Sequence, residues 1–180
     1  LRLYDQGVLN QSVIDMIRWN VRTADELTGD IRTQIAANHV CSEKVCQMLK
    51  DSDLENLDDL SDQIISITEK SMREEIAKIP DGIYHAKGLV EQMSGKEDII
   101  IQAKVEVKGS DIIVDLDGSS PQVNWGGNVV FNFTFDYVFM AVKSMFAPDI
   151  PNNDGCARPI MLSAPEGSVL NCKFPAAVAA

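Results

Sequence analysis

The sequence predicts an α+β fold, in which a helical N-terminal part is packed with an antiparallel, β-rich C-terminal part. Up to Ile79 the apolar residues recur every three or four positions, a spacing typical of amphipathic helices. From Ile83 onward they alternate with polar residues, as in half-buried strands, and a Pro-Asp-Gly turn at 80–82 separates the two patterns. We therefore expect residues 1–80 to form the helical part and residues 81–180 the β-rich part, which also contains one aromatic helix.

Composition and charge restrict the classes of function. With 16 basic and 27 acidic residues the net charge is −11, which argues against nucleic acid or an anionic membrane surface as a partner. No apolar run approaches the roughly 18 residues of a transmembrane helix. We expect a cytoplasmic protein, because its four cysteines are interpreted as reduced. The chain begins without methionine and ends in the apolar run PAAVAA, so we expect a fragment of a larger catalytic subunit.

The cysteines do not indicate a zinc site, because they form no Cys-x-x-Cys pair and the chain has only two histidines. We interpret all four as reduced residues that pack like small apolar side chains. They are Cys41, Cys46, Cys156 and Cys172.

Three helices are predicted in the N-terminal half. The first spans 10–20, with Asn10 as its N-cap. The second begins near Thr23 with a capping box that includes Glu26, and extends, kinked or broken, to Lys50. The third spans 57–79, and its i, i+4 charge pairs are interpreted as a solvent-exposed face. These pairs are Glu69 with Arg73, Lys70 with Glu74, and Glu74 with Lys78.

The second helix carries a polar ladder. Asp30, Gln34 and Asn38 recur every four residues and therefore line up along the helix. One interpretation is a solvated face. The other is contact with a specific ligand, because a solvated face is usually built from Lys and Glu rather than from Asp, Gln and Asn.

The C-terminal half predicts an antiparallel meander with one wet face, from strands at 83–90, 99–107 and 112–116. The aromatic segment 128–146 has apolar residues at helical spacing, and we expect it to form a helix across the sheet.

The last segment, 149–178, is rich in proline and polar residues, with short apolar runs between them. Proline restricts the backbone, so one interpretation is a rigid loop that presents polar groups such as Arg158. The alternative is an ordinary surface connection between two strands.

Four stretches, in this order, carry a family resemblance: NVRTADELTGDIRTQIAAN, the PDG turn, DLDGSSPQVNWGGN and DIPNNDGCARPIMLSAPEGSVLNCKFPAAV. Together they resemble the hydantoinase B family, which includes B-type subunits of N-methylhydantoinase, the C-terminal half of ATP-dependent 5-oxoprolinase, and the large subunits of acetone and acetophenone carboxylases. The resemblance covers about 20–178. Trp125 and Asp154 depart from it, since the family tends to have smaller residues there.

The resemblance implies an enzyme in which ATP hydrolysis in a partner subunit or domain is coupled to chemistry on a carbonyl group. Cyclic amides such as a lactam, a hydantoin or oxoproline are phosphorylated and then opened by water. The alternatives are an ATP-dependent carboxylase that acts on a ketone, and a non-catalytic scaffold or subunit-docking domain.

The resemblance also implies where the cofactors, partners and site residues lie. ATP and a divalent metal are expected to bind outside these residues, with a hydantoinase-A-type ATP-binding subunit as partner in an oligomer. The catalytic residues are unknown. Substrate-binding positions that match the family pattern are Asp30, Gln34, Asn38, Asn128, Asn153 and Arg158.

Overall fold

The structure, a computed structural model, describes residues 1–91 and 98–178. These residues divide into two compact units, Leu1–Leu57 (the N-terminal unit) and Asp58–Ala180 (the C-terminal unit). The α+β class is confirmed. The division at residue 80 follows a change of periodicity and stays a prediction. Parts of the expected 81–180 region, 92–97 and 179–180, lie outside the described residues.

The N-terminal unit consists of a short hairpin and two helices. These are β1 (Tyr4–Asp5), β2 (Val8–Leu9), α1 (Gln11–Asn20) and α2 (Ala24–Asp51). The predicted N-cap of α1 is confirmed, because the Asn10 side chain accepts a hydrogen bond from the Val13 amide. Val13 and Ile14 are the buried residues of α1, and Arg18 joins it to α2 by an ion pair with Asp25 at 2.8 Å.

The helix α2 is continuous for 28 residues and is not broken before Lys50. The predicted capping box is wrong, since the Thr23 side chain makes no capping hydrogen bond. The backbone of Thr23, at φ −107° and ψ 61°, lies outside the extended region that aims a capping oxygen at the first turn.

The C-terminal unit combines helices with a four-stranded sheet in the order β3-β4-β5-β6. Its elements are α3 (Asp58–Ile76), β3 (Gly82–Val90), β4 (Ile99–Lys108), β5 (Asp111–Asp115), α4 (Phe131–Phe146), α5 (Asp154–Ala157) and β6 (Ile160–Ser163). The predicted antiparallel meander is confirmed for β3 to β5.

The fourth strand corrects the interpretation of the proline-rich segment. Ile160 pairs with Ile112, and β6 runs parallel to β5, so the sheet is mixed rather than purely antiparallel. A parallel neighbour needs a long crossover, which the chain between Asp115 and Ile160 supplies through α4 and α5. A run of four residues is too short to reveal such a pairing in the sequence.

The core lies on one face of this sheet. Met72 and Ile76 of α3 are fully buried there and belong to one cluster with Ile112 of β5 and Ile160 of β6. The aromatic helix α4 packs against the same cluster through Val138, Phe139 and Val142, as predicted from its apolar spacing. On the other face, Ile83 and Met161 are exposed.

Candidate functional site

The predicted site residues are divided between the two units. The α2 helix of the N-terminal unit carries one group, and α5 and the loops of the C-terminal unit carry the other. The first group is Asp30, Gln34 and Asn38, and the second is Asn128, Asn153 and Arg158.

The polar ladder of α2 is exposed along its whole length. Asp30, Gln34 and Asn38 make no side-chain hydrogen bond within the part of the chain that the structure describes. A Cβ added at Gly29 would meet no atom within 4 Å, so the surface beside the ladder is open. Of the three, Asn38 lines a cavity beside this helix, and its binding role, like that of the other two, stays a prediction.

In the C-terminal unit, Asn153 joins α5 to α3. Its Oδ1 accepts hydrogen bonds from the Gly155 amide at 2.9 Å and from the Thr68 hydroxyl at 2.6 Å. Gly155 lies directly against α3, since a Cβ added there would overlap the Ile65 carbonyl oxygen. The start of the proline-rich segment is therefore fixed to α3, which supports the interpretation of a rigid loop.

Arg158 belongs to a chain of ion pairs that links α5, α3 and β5. Its guanidinium donates to Asp154 at 3.0 Å and to Glu69 Oε2 at 3.1 Å. Glu69 Oε1 then accepts from Arg73 at 2.9 Å, and Arg73 donates to Asp111 at 2.6 Å. We call these five residues the ion-pair chain.

Glu69 is the central anion of the ion-pair chain. Hydrogen bonds from Arg158 and then from Arg73 hold the pKa of the Glu69 carboxyl below its usual range, although partial burial opposes the shift. Hydrogen bonds to Glu69 and then to Asp154 raise the pKa of the Arg158 guanidinium. The Arg158 guanidinium is thus engaged with protein carboxylates, and it braces the loop through side chains rather than through backbone carbonyls. Its predicted role in substrate binding stays a prediction.

Asn128 is fully buried, and its side chain is surrounded by backbone partners. Its Oδ1 accepts from the Val123 amide at 2.7 Å, and its amide nitrogen donates to the carbonyls of Val123, Trp125 and Ala177. These bonds tie the 118–127 loop to the C-terminal stretch. No polar atom of Asn128 is left for a ligand in this structure, so its assignment to substrate binding stays a prediction without geometric support.

The residues that sequence reasoning missed lie on α3. The pair of Glu69 and Arg73 was expected on a solvent-exposed face, but their side chains are only 23% and 32% exposed, so that interpretation is wrong for them. The predicted pair of Glu74 and Lys78 is also wrong, because Lys78 binds Glu75 at 2.6 Å. The i, i+4 spacing in the sequence indicates ion pairs within α3. It does not indicate partners from distant segments, such as Arg158 and Asp111.

The described residues contain neither a cluster of metal ligands nor a membrane-spanning helix. Within 1–91 and 98–178 no three His, Cys, Asp or Glu side chains are grouped closely enough to hold a metal ion. In the same ranges no helix has both the length and the apolar character needed to cross a bilayer. Cys156 is buried as expected for a small apolar residue, whereas Cys41 and Cys46 are exposed.

Comparisons with known proteins agree over the whole chain. A profile of the hydantoinase B/oxoprolinase family matches residues 1–180. A protein described as a candidate B-type subunit of a D-/L-hydantoinase, from Pseudomonas sp. (strain NS671), is 34% identical over 98% of this chain and 32% of its own length. The 5-oxoprolinase of Saccharomyces cerevisiae is 26% identical over 87% of this chain and 12% of its own length.

The fold also agrees with a solved structure. The ATP-dependent caprolactamase from Pseudomonas jessenii superimposes with a TM-score of 0.84, at 23% identity over 99% of this chain and 31% of that one. The chain spans about a third of the length of three of the curated relatives that it matches. Because the family profile matches every residue from the first to the last, the chain belongs to the hydantoinase B/oxoprolinase family.

Proposed function

We propose that this chain is part of an ATP-dependent hydrolase that opens small cyclic amides, of the lactam, hydantoin or oxoproline type. The observation that carries the proposal is the family match over residues 1–180. Two relatives support it through their names, a B-type hydantoinase subunit and a 5-oxoprolinase, since both names refer to cyclic amides.

The geometry supports a role in substrate positioning. Asp30, Gln34 and Asn38 present unpaired amide and carboxylate groups on a long, regular helix, which holds polar groups at fixed spacing. The ion-pair chain fixes the start of the proline-rich segment on α3. Rigid placement of polar groups around a substrate lowers the entropic cost of reaching the reactive geometry.

ATP and a divalent metal are proposed to bind outside these residues, as the resemblance to the family implies. We further propose that a hydantoinase-A-type subunit supplies the nucleotide site, because the names of two relatives describe them as B-type and beta subunits of larger enzymes. A cytoplasmic location is proposed from the four unpaired cysteines.

The test supplies the parent subunit and its partner with ATP and either 5-oxoproline, hydantoin or caprolactam. The expected result is ring opening, measured by chromatography of the product. Phosphate release should rise in proportion to the amount of ring opened. Phosphate release that depends on acetone and bicarbonate instead, with no ring opened, would replace this proposal by the carboxylase alternative. The 180 residues alone are expected to show no turnover.

A second experiment separates substrate positioning from subunit docking. Alanine at Asn38 in the intact enzyme is expected to raise KM or lower kcat at least severalfold, because a polar contact to the substrate is lost. Alanine at Arg158 is expected to act in the same direction, because the ion-pair chain that braces the loop is lost. Unchanged kinetics in correctly folded variants, with weaker association of the two subunits, would favour a docking role.

A further inference from the structure

A cavity of about 600 Å³ lies between the β1–β2 hairpin and the middle of α2, entirely within the N-terminal unit. Sites for small molecules occupy about 300–1,000 Å³ and combine an apolar lining with a few polar groups. Ile35 and Ala36 provide the apolar lining on the helix, and Tyr4 and Gly7 line the side formed by the hairpin.

The hairpin that forms this wall has an unusual turn. Gln6 and Gly7 both have positive φ angles, 47° and 84°. Glycine adopts this region without cost, whereas a glutamine is uncommon there. Two successive left-handed residues give the tight two-residue connection that places Tyr4 opposite Leu9. The wall of the cavity is therefore defined by backbone geometry as well as by side chains.

Three polar side chains at this cavity have no partner. Tyr4, Arg32 and Asn38 all line it, and none of them makes a side-chain hydrogen bond or ion pair within 1–91 or 98–178. His39, also at the cavity, lies 3.5 Å from Glu43. An arginine fork is matched to a carboxylate, and an amide such as that of Asn38 can both donate to and accept from a second amide.

Asn38 links the cavity to the polar ladder, while the other ladder residues face elsewhere. On a helix with 3.6 residues per turn, Asp30 lies about half a turn from Arg32 and His39. Its negative charge therefore points away from the cavity. The cationic group at the cavity is Arg32, so the site is suited to an anion.

We propose that this cavity binds a small cyclic substrate that carries a carboxylate, with Arg32 as the anion-binding residue. This rests on the proposed function, because it assigns part of the amide substrate to the N-terminal unit. Arg32 pairs with the carboxylate, Asn38 contacts the ring amide, and the ring carbons cover Ile35 and Ala36. Inorganic phosphate fits less well, since it has no apolar part to cover these two residues.

The experiment measures binding by titration calorimetry to the full-length subunit with its partner, in the absence of ATP. The probes are 5-oxoproline and 2-pyrrolidinone, which is the same ring without the carboxylate. Arg32→Gln is expected to weaken 5-oxoproline binding at least tenfold, since charge-assisted hydrogen bonds are lost, and to leave 2-pyrrolidinone binding unchanged. Asn38→Asp adds a negative charge at nearly constant shape. It is expected to weaken 5-oxoproline binding as much as Arg32→Gln does, because the new carboxylate repels that of the probe.

Lys44→Gln is the matched control, because it removes one exposed positive charge from the same helix outside the cavity. It is expected to bind 5-oxoproline as the wild type does. The proposal is overturned if the wild type does not bind 5-oxoproline, or if Arg32→Gln binds it equally well. Arg32-dependent binding without any ATP-driven ring opening would refute the proposed function and leave the cavity assignment standing. Ring opening with an unchanged KM in Arg32→Gln would refute the cavity assignment and leave the proposed function standing.

Discussion

The two units of this protein differ most in what their long helices are packed against. The α2 helix has 28 residues and one buried residue, Thr28. The shorter α3 helix buries Thr68, Met72 and Ile76 against the sheet of its own unit. Both helices carry an apolar stripe, so the stripe alone does not decide burial. A helix is buried only where another element supplies a matching apolar surface.

The two units also differ in whether their polar side chains have partners within the fold. In the C-terminal unit, Glu69 is engaged by the ion-pair chain and Asn128 by backbone bonds, although the Ser168 hydroxyl is buried without a partner among the described residues. In the N-terminal unit several polar side chains, such as Arg32 and Asn38, have no partner among the described residues. These polar groups of the C-terminal unit are thus engaged within the fold, whereas Arg32 and Asn38 at the α2 cavity are not.

The largest expected difference in stability between the two units is tested with two asparagines. Asn128→Ala is expected to lower the free energy of unfolding by about 4 kcal/mol, because one amide and three carbonyl groups lose a buried partner. Asn38→Ala is expected to stay within about 0.5 kcal/mol of the wild type, since the residue is exposed. Urea unfolding of the 180-residue chain, followed by far-ultraviolet circular dichroism, measures both. Equal changes in the free energy of unfolding for the two variants would contradict this difference between the units.

Two methionines give the next largest difference. Met72 is fully buried, and Met72→Ala is expected to cost about 3 kcal/mol through lost burial and the cavity left behind. Met48 is 42% exposed, and Met48→Ala is expected to change the free energy of unfolding by less than about 0.5 kcal/mol. The same urea titration applies. A large cost at Met48 would mean that α2 is covered by another surface under the conditions of the measurement.

Two glycines sharpen the comparison further. Gly155→Ala is expected to cost about 2 kcal/mol, because the new methyl group would overlap the backbone of α3 at Ile65. Gly29→Ala is expected to stabilise α2 by about 0.5–1 kcal/mol, since alanine is the better helix former and the space beside Gly29 is empty. Thermal or urea unfolding checks both signs. Destabilisation by Gly29→Ala would again indicate a covered helix.

The smallest effect is a pH dependence at Glu69. Its pKa in the folded state is below the ordinary value of about 4.3, so its contribution to stability is present above that pH. As the pH falls through the folded value, protonation removes the anion between Arg73 and Arg158 and the contribution is lost. Below about pH 4.3, the free energy of unfolding of the wild type should therefore fall more steeply than that of Glu69→Gln.

Glu74→Gln is the control for this measurement. Glu74 lies on the same helix, is exposed, and approaches Lys70 only to 3.9 Å. It is expected to keep the pH dependence of the wild type. If Glu69→Gln and the wild type have the same slope in acid, the ion-pair chain does not contribute to stability.

Much of the secondary structure was predictable because its signals are local. The N-cap at Asn10, the change from helical to strand periodicity near residue 80 and the apolar spacing of α4 each depend on residues a few positions apart. The candidate site was predictable only in part. Residue type marked Asn153 and Arg158 as polar groups in a restrained segment, but not their partners.

The sequence by itself determined the helices α1 to α4, the meander β3 to β5 and, through its motifs, the family. Only the tertiary structure decided that β6 joins the sheet in parallel, that Glu69 binds Arg158 across 89 positions, and that Asn128 is buried. The physical reason is that hydrogen bonds and ion pairs between distant segments depend on the path of the whole chain. Periodicity and capping depend on one or two turns of it.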